Sequence, residues 1–453
     1  MLKALEIKGL FNRFDYNIKL KKDGITIITG PNGYGKSTIL KIIQDFADGD
    51  IVQIISHKYT SIKLIFDKQR TFNVVLDEEC IVINDKNKIL RDTVLASRPS
   101  RYSEKMRRDE NGKLRVIDIK NKFLKATSTA PKLPHYFEEI GRNEYVYLRT
   151  GDVINIDKMG TADKLIYLYS IDLTEKDKSF LKIIDEIKNY LGEIKFIGAQ
   201  RLIAEISEKN ERRTYREATM RITKVINDIP EKLTKEISRA VSQHSALSSQ
   251  LDSTYPKRLF SEEIGLTEDE YAEILKEITL NQAKLKKYGL AVFESISNIT
   301  FKHEFAKALK VHFSDSRKKY QMFGELVGKL ELFESIVNGK LNYKKIILSK
   351  DAGLEILNKE NNQSLELENL SSGEQEIIVL FYQLIFETAE KILLIDEPEI
   401  SLHIAWQKEL LEDFKKIVRL NNNKIEIIIA THSPQIINEN WDIQIDLGEL
   451  YGK

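Results

Sequence analysis

The stretch ITIITGPNGYGKSTIL, residues 25–40, decides the fold class, because a β-branched run leads into a glycine-rich turn and then into a helical pattern. Within it, Gly30–Thr38 matches the phosphate-loop pattern in full. Glycines let backbone N–H groups converge on a phosphate, and the helix N-terminus adds a partial positive charge. The residues predicted to bind nucleotide phosphates are Asn32, Gly33, Gly35, Lys36, Ser37 and Thr38.

Two residues of this loop have distinct predicted roles. Lys36 is expected to reach the β- and γ-phosphate oxygens, and the Ser37 hydroxyl is expected to ligate Mg²⁺. We set aside the alternative of a glycine turn that merely precedes a helix, because the pattern matches at every fixed position and lies between a strand and a helix. ATP and Mg²⁺ are therefore the expected cofactors.

A second motif is the apolar run Ile392–Ile395, which ends in the adjacent carboxylates Asp396 and Glu397. Ligands of open α/β sheets bind at the carboxyl ends of the strands. We therefore expect Asp396 to hold the Mg²⁺ shell and Glu397 to polarise the attacking water. An acidic pair after a strand is common in proteins. The assignment therefore depends on the presence of the phosphate loop in the same chain.

A third motif, LSSGEQ at residues 370–375, places Ser371 and Gly373 at the start of a predicted helix. Such a helix start is a second anion-binding site. Because each subunit already has its own phosphate loop, we expect this site to contact a nucleotide held by a partner subunit. The alternative is a capping box without a ligand, with a serine followed three residues later by a glutamate.

Two further residues follow predicted strands and face the same edge of the sheet. His432 follows the run IEIIIAT and is expected to contact the γ-phosphate, although a lone histidine at a strand end is more often a core residue. Gln200 follows EIKFIGA and is expected to reach Mg²⁺ or the water. Ser401 and His403 are expected to lie at the interface between subunits.

Strand-like runs alternating with helical patterns predict an α/β fold: a mixed sheet with an antiparallel lobe, a parallel core and flanking helices. Residues 1–202 and 343–453 are predicted to form the two parts of this head. Residues 203–342 are predicted to be a helical insertion for dimer or partner contacts, with a turn near Pro256. The last predicted strand covers residues 425–431.

The composition indicates a folded protein, with 42% hydrophobic and 31% charged residues among 453. No apolar run approaches the roughly 20 residues of a membrane span, and the single Cys80 fits a reducing cytoplasm. The net charge is only +1, so nucleic acid would need a local patch. Residues 91–132, with twelve basic and five acidic side chains, offer either such a patch or a solvated loop.

The motifs together resemble those of the ABC ATPase superfamily. Their residues resemble the SMC/RecF/OLD-like branch of that superfamily rather than transporter subunits. Four strings resemble the PtuA-type ATPase subunits of Septu-type and retron-associated anti-phage systems: FIGAQRL at 196–202, LDSTYPKRLF at 251–260, LENLSSGEQE at 367–376 and LLIDEPEISLH at 393–403. The resemblance implies an ATP-bound homodimer or higher oligomer. It also implies a separate HNH-type (PtuB-like) nuclease subunit that acts on nucleic acid. The LSSGEQ motif at 370–375 resembles the family's signature motif, and Ser372 occupies a position at which that signature usually has glycine.

Other function classes remain open at this point. The main alternative is a RecF- or Rad50-like DNA-repair ATPase that binds DNA directly. A transporter's nucleotide-binding subunit would not carry an insertion of this size. Too few residues follow His432 for the nuclease domain of OLD-type enzymes, so any nuclease activity is expected to come from a partner.

Overall fold

The computed structural model describes most of the chain: residues 1–67, 70–91, 94, 173–207, 220–290, 301–387 and 391–451, with short strands between 107 and 155. The basic stretch predicted at 91–132 falls almost wholly outside the described residues. None of the helices in the described ranges is long and apolar enough to cross a membrane.

The amino-terminal lobe is an antiparallel sheet, as predicted. Its elements and their neighbours are β1 (Leu2–Leu10), β2 (Phe14–Lys19), β3 (Ile25–Thr29), α1 (Lys36–Asp48), α2 (Ile51–Ser56), β4 (Ser61–Phe66), β5 (Thr71–Leu76), β6 (Cys80–Ile83) and β7 (Asn87–Leu90). All of these strands except β3 pair in the order β2-β1-β4-β5-β6-β7. In β4, the alternating residues Ile62, Leu64 and Phe66 are buried, which gives the sheet one apolar face.

The central part of the chain supplies short strand pairs and one strand of the core sheet. Its elements are β8 (Arg107–Arg108), β9 (Leu114–Arg115), β10 (Phe137–Gly141), β11 (Glu144–Tyr147), β12 (Val153–Asn155), α3 (Glu175–Leu191) and β13 (Ile194–Ile197). A capping box at Thr174 starts α3, and Gly192 ends it. The turn at Gly192 leads the chain into β13 and so towards Gln200.

The predicted insertion begins with a strand pair rather than with a helix. Its elements are β14 (Ile203–Ser207), β15 (Met220–Lys224), α4 (Ile229–Ser261), α5 (Glu268–Lys287) and α6 (Ala306–Lys340). β14 and β15 pair antiparallel. We call α4, α5 and α6 the helical arm. Their lengths confirm the helical character of the insertion, and whether it is a separate domain stays a prediction.

The turn predicted near Pro256 is wrong, because α4 continues through this proline. Proline lacks the N–H that would bond the carbonyl four residues earlier, so it normally breaks a helix. Here the Arg258 guanidinium donates to the Leu251 carbonyl at 2.6 Å and to Asp315 Oδ2 of α6 at 2.7 Å. The first contact spans the proline within α4, and the second joins α4 to α6.

The base of the arm is part of the core of the head. Leu233 of α4 and Phe333 of α6 belong to the same apolar cluster as the core sheet. At the end of α6, the buried Lys340 ammonium lies 2.6 Å from Asp413 Oδ2 and 2.9 Å from Glu409 Oε2. The distal part of the arm has a small cluster of its own, formed by Leu266, Tyr271, Ile278, Leu309 and Phe313.

The carboxyl-terminal part completes the head. Its elements are β16 (Lys344–Ser349), β17 (Gly353–Asn358), β18 (Ser364–Leu365), α7 (Ser372–Ile385), β19 (Ile392–Asp396), α8 (Ile404–Leu420), β20 (Glu426–Ala430), α9 (Pro434–Ile437), β21 (Gln444–Asp446) and α10 (Leu447–Tyr451). β16, β17 and β18 form a small antiparallel sheet.

The core is a five-stranded parallel sheet in the order β13-β19-β20-β3-β21. The strand predicted at residues 425–431 is β20, and it is the last buried strand, while the half-buried β21 that follows it was not predicted. β21 has only three residues, and its pairing with β3, with Gln444 opposite Ile27, defines it as a strand. Such a short segment carries no β-branched run from which it could be predicted.

Both faces of the parallel sheet are covered, as predicted. Ile427 and Ile429 of β20 point into an apolar cluster that includes the base of the arm, α7 and α8. Ile428 and Ala430 point into a second cluster that includes α1 and α3. The structure is therefore an α/β fold with mixed sheets and flanking helices, and its carboxyl strand ends meet at one edge.

Candidate functional site

The phosphate loop lies between β3 and α1, in the predicted place. Gly35 is the N-cap of α1, with φ of 88°, and a Cβ there would lie 2.7 Å from the Leu10 side chain. Only glycine fits such a position without strain. Because glycine has no capping side chain, the first N–H groups of α1 are left for a ligand. Asn32 and Gly33 are exposed, and Thr38 is half-buried in the first turn of α1.

Lys36 lies at the centre of the site and is buried. Its ammonium donates to the Gly30 carbonyl at 2.9 Å and lies 2.6 Å from His432 Nε2. Burial lowers the pKa of Lys36, and the nearby carboxylates of Glu397 and Asp396 oppose that shift. The pKa of His432 is lowered by burial and then by Lys36. A neutral imidazole is the form that accepts a hydrogen bond from an ammonium.

Ser37 and Asp396 come together as the sequence predicted. The Ser37 hydroxyl donates to Asp396 Oδ1 at 2.7 Å, and Asp396 is buried at the end of β19. Mg²⁺ prefers oxygen ligands and usually takes one or two from protein, with the rest from phosphate and water. These two side chains fit that requirement. Gln200 is exposed just after β13, the neighbour of β19, and its role at the metal stays a prediction.

Glu397 has a left-handed backbone conformation and a carboxyl group with a raised pKa. Its φ is 48°, and its N–H donates to the Ala430 carbonyl at 2.8 Å, which holds the turn after β19 against β20. Glu397 Oε1 lies 3.3 Å from His432 Nε2. Burial, followed by the neighbouring Glu399, raises the pKa of Glu397 to about 8. A carboxylate with a raised pKa is a better proton acceptor than an exposed one.

Ser371 of the LSSGEQ signature is the N-cap of α7, which we call the signature helix. Its side chain accepts from the Glu374 N–H at 3.3 Å, and the Ser371 N–H donates to Glu374 Oε2 at 2.8 Å. The capping box considered from the sequence is therefore present, and it leaves the Ser371 side chain exposed. A Cβ at Gly373 would lie 2.7 Å from the Ser401 carbonyl oxygen. The signature helix thus packs closely against the turn that follows the acidic pair.

The two residues predicted at the subunit interface both lie on that turn. Ser401 is exposed and has φ of 63°. His403 is also exposed, and its Nδ1 accepts from the Ala405 N–H at 3.2 Å as the N-cap of α8. Within this protomer, His403 therefore has a structural role as a cap. Its place at an interface stays a prediction.

Arg201 is a residue that the sequence reasoning did not select. It is buried, its Nε lies 2.5 Å from Glu376 Oε2 of α7, and its Nη2 donates to the Pro398 carbonyl at 2.9 Å. The Nε and Oε2 atoms form an ion pair without hydrogen-bond alignment. Burial lowers the pKa of Arg201 and raises that of Glu376, and each charge partly offsets the other's shift. The arginine ties the signature helix to the acidic turn. In the sequence, the feature that could have identified Arg201 is its position directly after Gln200.

Glu399 is a second residue that was missed. Its Oε1 accepts from Thr431 Oγ1 at 2.5 Å, from the His432 N–H at 2.9 Å and from the Ser433 N–H at 3.0 Å. The signal for it was a third acidic residue two positions beyond Glu397, in a turn where ligands of α/β sheets bind.

The family model described as AAA ATPase domain matches residues 1–437. No curated protein matches the chain. Among solved structures, the chain is similar to the Smc head domain of Pyrococcus furiosus with an extended coiled coil, bound to the C-terminal domain of ScpA. That match has a TM-score of 0.34 and 13% identity, over 96% of this chain and 90% of the other. The SMC head domain of Thermotoga maritima matches with a TM-score of 0.33 and 12% identity, again over 96% and 90%.

Proposed function

This chain belongs to the AAA ATPase domain family, and we propose that it binds MgATP in the Gly30–Thr38 loop and hydrolyses it. One observation carries the proposal. Lys36, Glu397 and His432 follow three different strands, and His432 Nε2 lies 2.6 Å from Lys36 Nζ and 3.3 Å from Glu397 Oε1. Asp396 accepts a hydrogen bond from Ser37, the residue next to Lys36. A cation, a metal-binding pair and a half-buried carboxylate are groups that suit phosphoryl transfer to water.

Each residue has a role in this proposal. Lys36 binds the β- and γ-phosphate oxygens, and Ser37 and Asp396 hold Mg²⁺. The metal, when bound, neutralises phosphate charge. Glu397 accepts a proton from the attacking water, and His432 contacts the γ-phosphate. The close approach of Lys36 and His432, 2.6 Å between Nζ and Nε2, supports a shared location for both residues at the terminal phosphate.

We also propose that the site is completed by a second copy of the chain, whose Ser371 and Gly373 contact the nucleotide. The exposed Ser371 at the start of α7 supports this, because a helix start favours an anion. The exposed apolar side chains of Ile400 and Ile404 beside it also support a protein contact. ATP bound between two subunits would link nucleotide occupancy to assembly.

Mixing two inactive variants tests the shared site. Lys36→Ala and Ser371→Arg are each expected to be inactive alone, because every site in either homodimer carries one defect. A mixed dimer has one site with both defects and one intact site, so mixing is expected to restore about a quarter of wild-type ATP turnover at statistical pairing. Phosphate release is measured before and after the two proteins are mixed.

A matched control is Thr174→Arg, which removes the same kind of capping box from α3. Loss of an N-cap costs about 1 kcal/mol of stability, so this variant separates the cap from the proposed contact with nucleotide. It is expected to keep wild-type turnover. Mixed variants that stay inactive, although both fold and the Thr174→Arg protein is active, would show that each site lies within one subunit.

Finally, we propose that the ATP-bound assembly controls a separate HNH-type nuclease subunit in an anti-phage system. The support is the resemblance of the strings at 367–376 and 251–260. The second string lies on the helical arm and ends at Phe260, whose side chain is 90% exposed. Mass spectrometry of proteins that co-purify with the tagged chain from its native cells tests this. An HNH subunit supports the proposal, and a recombination factor supports the DNA-repair alternative.

A further inference from the structure

We infer that Glu399 is a positioning residue for ATP hydrolysis, because its carboxylate fixes the loop that carries His432. The inference rests on the proposed function, since it concerns the same site. It assigns to Glu399 neither contact with nucleotide nor a place among the metal ligands. Its role is to hold other groups in place.

The carboxylate gathers the donors of the loop after β20. Its Oε1 accepts from the Thr431 hydroxyl at 2.5 Å and from the N–H groups of His432 and Ser433 at 2.9 and 3.0 Å. These backbone groups lie beyond the last ladder position of the strand, so they need another acceptor. Hydrogen bonds to a charged acceptor are about twice as strong as neutral ones. The Glu399 side chain therefore binds three successive residues, and Thr431 Oγ1 is a second acceptor for the Ser433 N–H at 2.9 Å.

The turn that carries Glu399 is itself held on both sides. The Glu397 N–H donates to the Ala430 carbonyl at 2.8 Å, at the end of β20. Arg201 donates to the Pro398 carbonyl at 2.9 Å from the opposite side. Because the turn is fixed at these two neighbouring residues, the Glu399 carboxylate has a defined position from which to fix the loop.

The result of this arrangement is the placement of the His432 ring. Its Nε2 lies 2.6 Å from Lys36 Nζ and 3.3 Å from Glu397 Oε1, between the cation and the carboxylate of the site. The backbone N–H of His432 is one of the two that Glu399 binds. Loss of the acceptor would free this loop, and a displacement of about 1 Å costs on the order of 10²-fold in rate.

Three substitutions of Glu399 separate position from charge. Glu399→Ala is expected to lower kcat about 10²-fold and to leave the Kd for MgATP within about threefold, because Lys36 and the phosphate loop are intact. Glu399→Gln keeps an acceptor oxygen at the same reach, and it is expected to restore most of the lost turnover. Glu399→Asp keeps the charge but is shorter by one methylene group, so it is expected to resemble the alanine variant.

A double variant tests whether Glu399 acts through His432. If the carboxylate only positions the histidine, Glu399→Ala adds no more than about threefold to the loss seen in His432→Ala. A general structural defect would instead multiply with it, and so would an effect through Glu397, whose pKa is raised first by burial and then by Glu399. Thermal unfolding of each variant, with the glutamine variant as the folded reference, accompanies the rate measurements.

Several results would overturn the inference. These are wild-type turnover in Glu399→Ala, rescue by aspartate but not by glutamine, and multiplicative losses in the double variant. Absence of MgATP turnover in the wild-type chain would overturn both the proposed function and this inference. Turnover that is present in the wild type and unchanged in Glu399→Ala overturns the inference alone.

Discussion

Glu397→Gln is expected to bind ATP as the wild-type chain does and to hydrolyse it about 10²–10⁴ times more slowly. Glutamine preserves the size of the side chain but cannot accept a proton from water. The carboxyl it replaces has a pKa raised to about 8, first by burial and then by Glu399, which suits a proton acceptor. Phosphate release at saturating MgATP measures the loss, and titration with a fluorescent ATP analogue measures binding.

The same substitution is expected to accumulate the ATP-bound dimer, because assembly persists when nucleotide is not consumed. Size-exclusion chromatography with light scattering, with and without MgATP, measures this. The matched control is Glu426→Gln, a half-buried carboxyl whose pKa is also raised by burial. It lies at the opposite end of β20 from His432 and should leave turnover unchanged. Near wild-type hydrolysis by Glu397→Gln would remove Glu397 as the base.

Lys36→Ala is expected to weaken MgATP binding by about 10²-fold or more. Each hydrogen bond to a charged group contributes about 1.5–3 kcal/mol, and 1.4 kcal/mol corresponds to a tenfold change in Kd. Two contacts with phosphate oxygens therefore account for a loss of this size. Isothermal titration calorimetry with ATP and Mg²⁺ measures the Kd directly.

The control for this variant is Lys41→Ala, an exposed lysine on the same helix. It removes an equal charge from α1 but lies away from the loop, so it is expected to bind ATP as the wild-type chain does. Circular dichroism checks that both variants fold, since Lys36 is buried. Wild-type affinity in Lys36→Ala would mean that Gly30–Thr38 is not the phosphate-binding loop.

Much of the fold could be predicted because its signals are local. The β-branched runs of β3, β19 and β20 and the glycine turn before α1 each lie within a few residues of sequence. The exceptions have non-local causes. The three-residue strand β21 is defined by its pairing with β3, and in α4 the Arg258 side chain, two residues after Pro256, contacts Asp315 on another helix.

The residues of the candidate site could be selected from the sequence, but their contacts could not. Motif spacing selected Lys36, Asp396, Glu397 and His432, and in the structure these residues lie at the ends of neighbouring strands. Spacing could not show that Lys36 and His432, which are 396 positions apart, touch each other. It also missed Glu399, because the signal for it, a third acidic residue in the turn, does not show which groups that residue binds. Its importance depends on three donors that follow a different strand.

The union of the helical arm with the core of the head has a mechanical consequence. The second half of α6 is embedded among the core residues beside α7, and its first half projects with α5. The projecting half, residues 306–322, is about 25 Å long at 1.5 Å per residue. The arm is thus anchored in the head at one end, and a tilt of that end would move the other end. A tilt of about 10° at the signature helix would move the tip by about 4 Å.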